Sequence, residues 1–90
     1  PNSSSPPESS RAPLAEAARL LALGEYRAAH AICLEVLKND PGNAQAYYLL
    51  GILTRDHGNI ARAADLFRAA TDRRPDHAPA HAQLARCLLA

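Results

Sequence analysis

Apolar residues recur three and four positions apart over most of the chain, a spacing that places them on one face of an α-helix. Glycine, proline or asparagine interrupts this pattern at Gly24 and at residues 40–43, 58–59 and 74–76. Between these breaks the pattern predicts five helices, over residues 13–23, 26–38, 44–57, 60–73 and 79–90. No segment has the strict alternation of a β-strand, so the sequence predicts an all-α protein.

The interruptions and several small residues repeat with an offset of 34 residues. The pairs are Gly24 and Gly58, Ala29 and Ala63, Cys33 and Phe67, and Pro41 and Pro75, and three small residues mark a third copy: Ala17, Gly51 and Ala85. A glycine can end the first helix of each copy in a left-handed conformation, and a proline stops the second. Because small residues let helices approach closely, Gly51 and Ala63 are predicted close-packing positions, where Ala63→Leu would overpack.

The second copy resembles the tetratricopeptide repeat family, whose pattern is Trp-x-x-Leu-Gly-x-x-Tyr, then Ala-x-x-x-Phe, then Pro. Here the sequence reads Tyr47-x-x-Leu50-Gly51-x-x-Thr54, then Ala63-x-x-x-Phe67, then Pro75. The first copy departs from the pattern at Pro13 and Glu16, and the third supplies only a first helix. The resemblance implies antiparallel helix–turn–helix repeats in a short right-handed α-solenoid of about two and a half repeats, over residues 10–43, 44–77 and 78–90.

The first residues differ in composition from the rest of the chain. Proline, serine and asparagine dominate there, and no large apolar residue precedes Leu14. Such a segment cannot bury enough apolar surface to offset the entropy of ordering it. Residues 1–12 are therefore predicted to be a disordered linker, followed by a repeat domain over residues 13–90.

The charges nearly balance, with ten Lys or Arg against nine Asp or Glu and a net charge of +1. This balance gives no electrostatic reason to expect nucleic acid or an anionic membrane as a partner. No apolar run approaches the ~18–20 residues of a membrane span, and the N-terminus lacks the order of a secretory signal. Cys33 and Cys87 are predicted to be small buried hydrophobes rather than a disulfide, and a cytoplasmic location is expected.

A second stripe of residues on the helix over residues 44–57 lies off the motif face. Tyr48, Ile52 and Arg55 follow helical spacing there, although a helix buried on one side needs no second apolar stripe. In the tetratricopeptide family this face of each first helix lines a concave peptide-binding groove, so the resemblance implies a groove here. Its predicted residues are Leu14, Ala18, Tyr48, Leu49, Ile52, Arg55, Ala82, Gln83 and Arg86. The alternative is ordinary packing between the first helices of successive repeats.

The residues of the predicted groove indicate what it would bind. The family's carboxylate clamp holds chaperone C-termini with Lys and Asn, whereas the corresponding positions here are Leu14, Ala18, Leu49, Pro79 and Gln83. An acidic chaperone tail is therefore not expected, and a protein or peptide with an apolar segment is. Tyr48 and Arg86 are the predicted anchors, and Tyr48→Ala is predicted to weaken binding with little loss of stability.

Candidate catalytic and metal-binding residues are few. His77 and His81 are four residues apart, but Pro79 lies between them with no further ligand nearby, so capping or exposed positions are predicted. Cys33 with His30 would need an orienting third group and an oxyanion site to act as a nucleophile. No Gly-rich phosphate loop occurs. The sequence predicts no catalytic residue, no metal and no cofactor, and hence a module that is not itself an enzyme.

Three functions fit this pattern. The first is a scaffold that binds a protein partner through the groove. The second is the repeat-bearing region of a larger bacterial-type enzyme whose chemistry lies elsewhere. The third is a self-association module, in which copies of the chain pair through an exposed C-terminal helix.

The two ends of the repeat region lead to different expectations. Leu53 and Cys87 occupy equivalent positions in the second and third copies, and both are expected to pack on the preceding repeat. The first copy has Arg19 at this position, a residue unsuited to burial without a partner, so no repeat is expected before the first copy. The last helix carries Leu84, Leu88 and Leu89 with no second helix to cover them. The natural protein is therefore expected to continue past Ala90, or the isolated chain to pair with another copy.

Overall fold

The computed structural model describes residues 8–89, with side chains from Arg11 onward. It contains five helices: α1 (Glu8–Ala22), α2 (Tyr26–Asn39), α3 (Ala44–Asp56), α4 (Ile60–Arg73) and α5 (Ala78–Leu89). Consecutive helices pack against each other, and α1 also contacts α3. No strand occurs within the described residues, which confirms the predicted all-α solenoid of helix–turn–helix repeats.

The start of α1 differs from the prediction. The helix begins at Glu8 rather than at Pro13, so residues 8–12 are helical and the predicted linker 1–12 is wrong there. Pro13 lies inside the helix, where it removes one backbone hydrogen bond. The polar residues before Leu14 carry no apolar period, so they gave no signal of the extra turn. Residues 1–7 of the predicted linker lie outside the described residues.

The two positive-φ glycines end the first helix of each complete repeat in the same way. Gly24 has φ 81° and Gly58 has φ 89°. After α1, the Glu25 N–H donates to the Leu20 carbonyl at 2.8 Å. After α3, the Asn59 N–H donates to the Thr54 carbonyl at 3.1 Å. These are the six-residue bonds of a Schellman cap, and they satisfy carbonyls that the helix itself leaves free.

Asparagine side chains cap the N-termini of two helices. The Asn43 side chain accepts a hydrogen bond from the Ala46 N–H at 3.0 Å, and Asn59 accepts one from the Arg62 N–H at 3.2 Å. Each bond satisfies one of the N–H groups that has no partner within its helix. The turn before each of these helices is therefore fixed by local sequence.

The core follows the 34-residue repeat. Cys33 and Phe67 are equivalent residues, and they are the largest fully buried side chains. Ala63 is also fully buried, and Gly51 is buried on α3. A β-carbon at Gly51 would lie 2.5–2.9 Å from three ring carbons of Phe67. Both predicted close-packing positions therefore lie in the core, and α4 can approach α3 because Gly51 has no side chain.

The equivalent positions Arg19, Leu53 and Cys87 differ in how deeply their side chains are buried. Leu53 is buried in one apolar cluster with residues of α2, including Cys33 and Val36. Cys87 is only partly buried, so it is less enclosed than its equivalent. Arg19 is exposed and forms an ion pair with Glu16 at 2.5 Å.

We expect Gly51→Ala to lower the free energy of unfolding by about 1–3 kcal/mol, because the new methyl group collides with the buried ring of Phe67. The loss is expected even though alanine has a higher helix propensity than glycine, by roughly 1 kcal/mol. Urea unfolding followed by circular dichroism measures the change.

The matched control is Gly42→Ala. A β-carbon there meets nothing within 4 Å, and Gly42 does not have positive φ. Its stability should change by less than about 0.5 kcal/mol. Equal losses in the two variants would contradict the close helix approach.

Candidate partner-binding surface

The nine predicted groove residues fall into three groups by exposure. Leu14 and Leu49 are buried in the apolar cluster that joins α1, α2 and α3. Tyr48, Ile52, Arg55 and Gln83 are partly buried, and Ala18, Ala82 and Arg86 are exposed. For Leu14 and Leu49, packing between successive repeats is therefore the better description.

Tyr48 is held between helices rather than projecting freely. Its ring centroid lies 5.9 Å from that of Phe67 and 5.1 Å from that of His77. The ring packs against both apolar clusters of the chain. Tyr48→Ala is consequently expected to reduce stability as well as any partner contact, so it is a poor probe of binding alone.

Two other predicted groove residues meet directly across successive repeats. The Arg55 guanidinium on α3 donates a hydrogen bond to the Gln83 amide oxygen on α5. Its other terminal nitrogen lies 3.5 Å from a carboxylate oxygen of Asp56. This hydrogen bond links the two neighbouring first helices. We call the face formed by Ile52, Arg55, Ala82, Gln83 and Arg86 the α3–α5 surface.

The C-terminal part of α5 leaves apolar side chains exposed. Leu88 is 64% exposed and Leu89 is 86% exposed. Self-association through this helix stays a prediction.

A second feature is a cleft of about 500 Å³ where α1, the turn before α3 and the end of α4 meet. Helix α1 contributes Arg11, Leu14, Ala15 and Ala18, and residues 42–45 form one wall. Arg73 and Arg74 at the end of α4 complete the lining. We call this feature the arginine cleft.

Sequence reasoning missed all three arginines of the arginine cleft. Arg11 fell within the predicted linker, and Arg73 and Arg74 lie where a helix was predicted to end. One signal was available: Arg11 lies three residues before Leu14 and seven before Ala18, so it belongs to the same helical face.

His77 immediately precedes α5 and connects it to the preceding repeat. Its Nδ1 accepts a hydrogen bond from the Ala80 N–H at 3.2 Å, and its Nε2 lies 3.0 Å from the Gln45 amide oxygen. Since a backbone N–H can only donate, the Nε2 proton points to Gln45. His77 is buried, and it occupies the position 34 residues after Asn43, which caps α3. The predicted capping role is thus confirmed for His77.

The other residues considered for chemistry do not form a reactive group. The Nε2 of His81 lies 2.6 Å from the Pro75 carbonyl oxygen. Cys33 is fully buried and burial raises the pKa of its thiol to about 11, whereas His30 is exposed. The thiol is therefore protonated at neutral pH and is not a nucleophile. Within residues 8–89, no three His, Cys, Asp or Glu residues come together as metal ligands would.

The stacked helix pairs with their glycine and proline boundaries define a class of helical-repeat proteins, and the chain belongs to the tetratricopeptide repeat family. Two tetratricopeptide repeat family models match it, one over residues 14–54 and the other over residues 55–90. The repeat fold is a non-catalytic module of a kind that mediates interactions between proteins.

Two relatives of the chain share one name. The chain is 39% identical over 75 residues to the probable biofilm formation methyltransferase WspC of Pseudomonas aeruginosa, a match over 83% of this chain. It is 36% identical over 77 residues to the protein of that name from Pseudomonas putida, a match over 86% of this chain. In both comparisons the match spans 18% of the relative's length. None of the described helices has the length and apolar character needed to cross a membrane.

We expect His77→Ala to destabilise the first turn of α5 by about 0.5–2 kcal/mol, because the Ala80 N–H loses its acceptor. Amide hydrogen exchange at the start of α5, together with urea unfolding, measures this loss.

The control for that change is His77→Asn, which restores a capping acceptor of the kind that Asn43 supplies to α3. It should recover most of the protection at the Ala80 amide. If the asparagine variant exchanges as fast as the alanine variant, contact between the His77 and Tyr48 rings, rather than the cap, holds α5 in place.

We expect N-ethylmaleimide to label only Cys87 in the folded chain, because the Cys33 thiol is buried and protonated. Mass spectrometry should detect one adduct under native conditions and two in urea. In the Cys87→Ser variant, Cys33 should be labelled only after the chain unfolds. Equal labelling rates for Cys33 with and without urea would contradict its burial.

Proposed function

We propose that this chain binds a protein partner through the α3–α5 surface and that the partner presents an apolar segment to it. The observation that carries the proposal is the Arg55–Gln83 hydrogen bond, which joins two neighbouring first helices while Ala82 and Arg86 stay exposed beside it. A surface ordered before binding loses less conformational entropy when a partner arrives.

The composition of the α3–α5 surface supports the same proposal. Ile52 and Ala82 supply apolar area, and Arg55 and Arg86 supply the residue type that is enriched among energetically dominant interface residues. The partly buried Gln83 adds hydrogen-bonding capacity. A partner with apolar side chains next to hydrogen-bond acceptors suits such a face.

The relatives favour a second proposal, that the chain is the repeat-bearing region of a larger protein with a methyltransferase domain. Its support is that two relatives named as methyltransferases match most of this chain over only 18% of their own length. The chemistry would then lie elsewhere, and the repeats would recruit or orient a protein. In the intact protein, changes on the α3–α5 surface should reduce methyl transfer to a protein acceptor and leave binding of the methyl donor unchanged.

We expect the double variant Ala82→Glu/Arg86→Ala to capture at least about tenfold less of its partner protein. The substitutions block one contact residue and remove another, and each contact is worth roughly 1 kcal/mol. The measurement is affinity capture from host lysate with the immobilised chain, followed by quantitative mass spectrometry. Both positions are exposed, so the urea midpoint should stay unchanged.

The matched control is Ala61→Glu/Arg62→Ala on α4, where both residues are also exposed. This variant makes the same chemical changes away from the α3–α5 surface and should capture the same proteins as the natural chain. If both variants retain the same partner equally well, binding does not use the α3–α5 surface.

A further inference from the structure

The arginine cleft combines three positive side chains with an apolar floor. Arg11 comes from α1, and Arg73 and Arg74 come from the end of α4. Leu14, Ala15, Ala18 and Ala44 supply apolar lining, and Asn43 and Gln45 add amide groups. Its volume of about 500 Å³ falls within the range of clefts that hold small ligands or short segments.

No Asp or Glu occurs among the described residues that line the cleft. Two carboxylates lie close by. Asp76 is 3.6 Å from Arg74 in a pair whose side chains are 61% and 84% exposed, and such pairs are weak and readily exchanged. Asp40 accepts a hydrogen bond from the Asn43 amide at 3.1 Å. The three arginines therefore set the charge of the lining itself.

Arg73 is already ordered for binding. Its guanidinium lies 4.7 Å from the centroid of the Tyr47 ring, and Nη1 donates to the Ala69 carbonyl at 3.4 Å. The guanidinium is planar by its own resonance, and stacking on an aromatic ring restricts its orientation while leaving its edge N–H groups free for a carboxylate. Ordering of this kind lowers the entropy lost when a ligand binds.

Helix stability accounts for only part of this arrangement. Arg73 and Arg74 lie at the C-terminal end of α4, where positive charge is favourable for the helix. Arg11 lies in the first turn of α1, where positive charge is unfavourable for the same reason. Its place in the lining is therefore not explained by the needs of its own helix.

We infer that the arginine cleft binds an acidic peptide segment, with a carboxylate held by the arginines and a neighbouring apolar side chain on the Leu14–Ala18 floor. The inference rests on the proposed function as a protein-binding module and adds an acidic group to the partner's apolar segment. The three arginines lie at none of the positions compared above with the family's carboxylate clamp. Nucleic acid is disfavoured because the chain's net charge is only +1 and the basic lining is confined to one small cleft.

The test is a nuclear magnetic resonance titration of the isotope-labelled chain with two synthetic peptides. The first is Gly-Leu-Glu-Glu-Leu-Gly with both ends blocked, and the second replaces each Glu with Gln. The Glu peptide should shift the amides of residues 42–45 and bind about tenfold more tightly than the Gln peptide, since charge-assisted hydrogen bonds are roughly twice as strong as neutral ones. Its affinity should fall as salt is raised.

Substitutions of the three arginines then test which of them bind the Glu peptide. Arg11→Gln and the double variant Arg73→Gln/Arg74→Gln should each weaken the Glu peptide about tenfold and leave the Gln peptide unaffected. The control Arg62→Gln/Arg68→Gln removes two exposed charges of α4 that are not in the lining, and it should bind as the natural chain does. Arg11 is exposed, so its variant keeps the test valid if loss of the Arg73–Tyr47 contact disturbs folding.

Several results would overturn the inference. These are equal binding of the two peptides, no shift with the Glu peptide, unchanged affinity in the arginine variants, or tighter binding of oligothymidylate than of the Glu peptide. Shifts confined to residues 52–55 of α3 and to α5, with none at residues 42–45, would also exclude the arginine cleft and leave the α3–α5 surface as the binding site. The lysate capture tests that surface separately, so the two proposals can fail independently.

Discussion

The ring of Phe67 lies so close to the backbone of Gly51 that a β-carbon there would come within 2.5–2.9 Å of three ring atoms. This contact sets the distance between α3 and α4, the two helices of the complete second repeat. The close approach also encloses Phe67 fully and leaves Tyr48 beside it, against both Phe67 and His77. The position of α5 depends in turn on His77, which is buried against Tyr48 and caps that helix.

The stacking of repeats decides which faces of the first helices stay available. One face of α3 closes on α4, and Leu49 meets the apolar cluster shared with α1 and α2. The remaining stripe is joined to α5 through Arg55 and Gln83. Groups that are linked in this way before binding lose less conformational entropy when a partner arrives.

The two candidate binding features differ in their chemistry and complement each other. The α3–α5 surface offers apolar and hydrogen-bonding contacts, whereas the arginine cleft offers positive charge over an apolar floor. Leu14 and Ala18 belong both to the predicted groove and to the floor of the arginine cleft. The match to the relatives named as methyltransferases spans 18% of their length.

The amino-acid sequence by itself determined the helices, their turns and the repeat. Gly24 and Gly58 adopt positive φ and Asn43 and Asn59 cap helices because these are local effects, fixed by a few neighbouring residues. The 34-residue offset likewise predicted that Cys33 and Phe67 would be buried as equivalents.

Only the tertiary structure decided the content of the candidate sites. Helical spacing gives the face on which a residue lies but not what covers that face, so Leu49 proved to be core and Tyr48 half-buried. Arg11 and Arg73 come from opposite ends of the chain, and no local pattern relates them. Their meeting at one cleft depends on how the repeats stack, because stacking fixes which distant helix ends become neighbours.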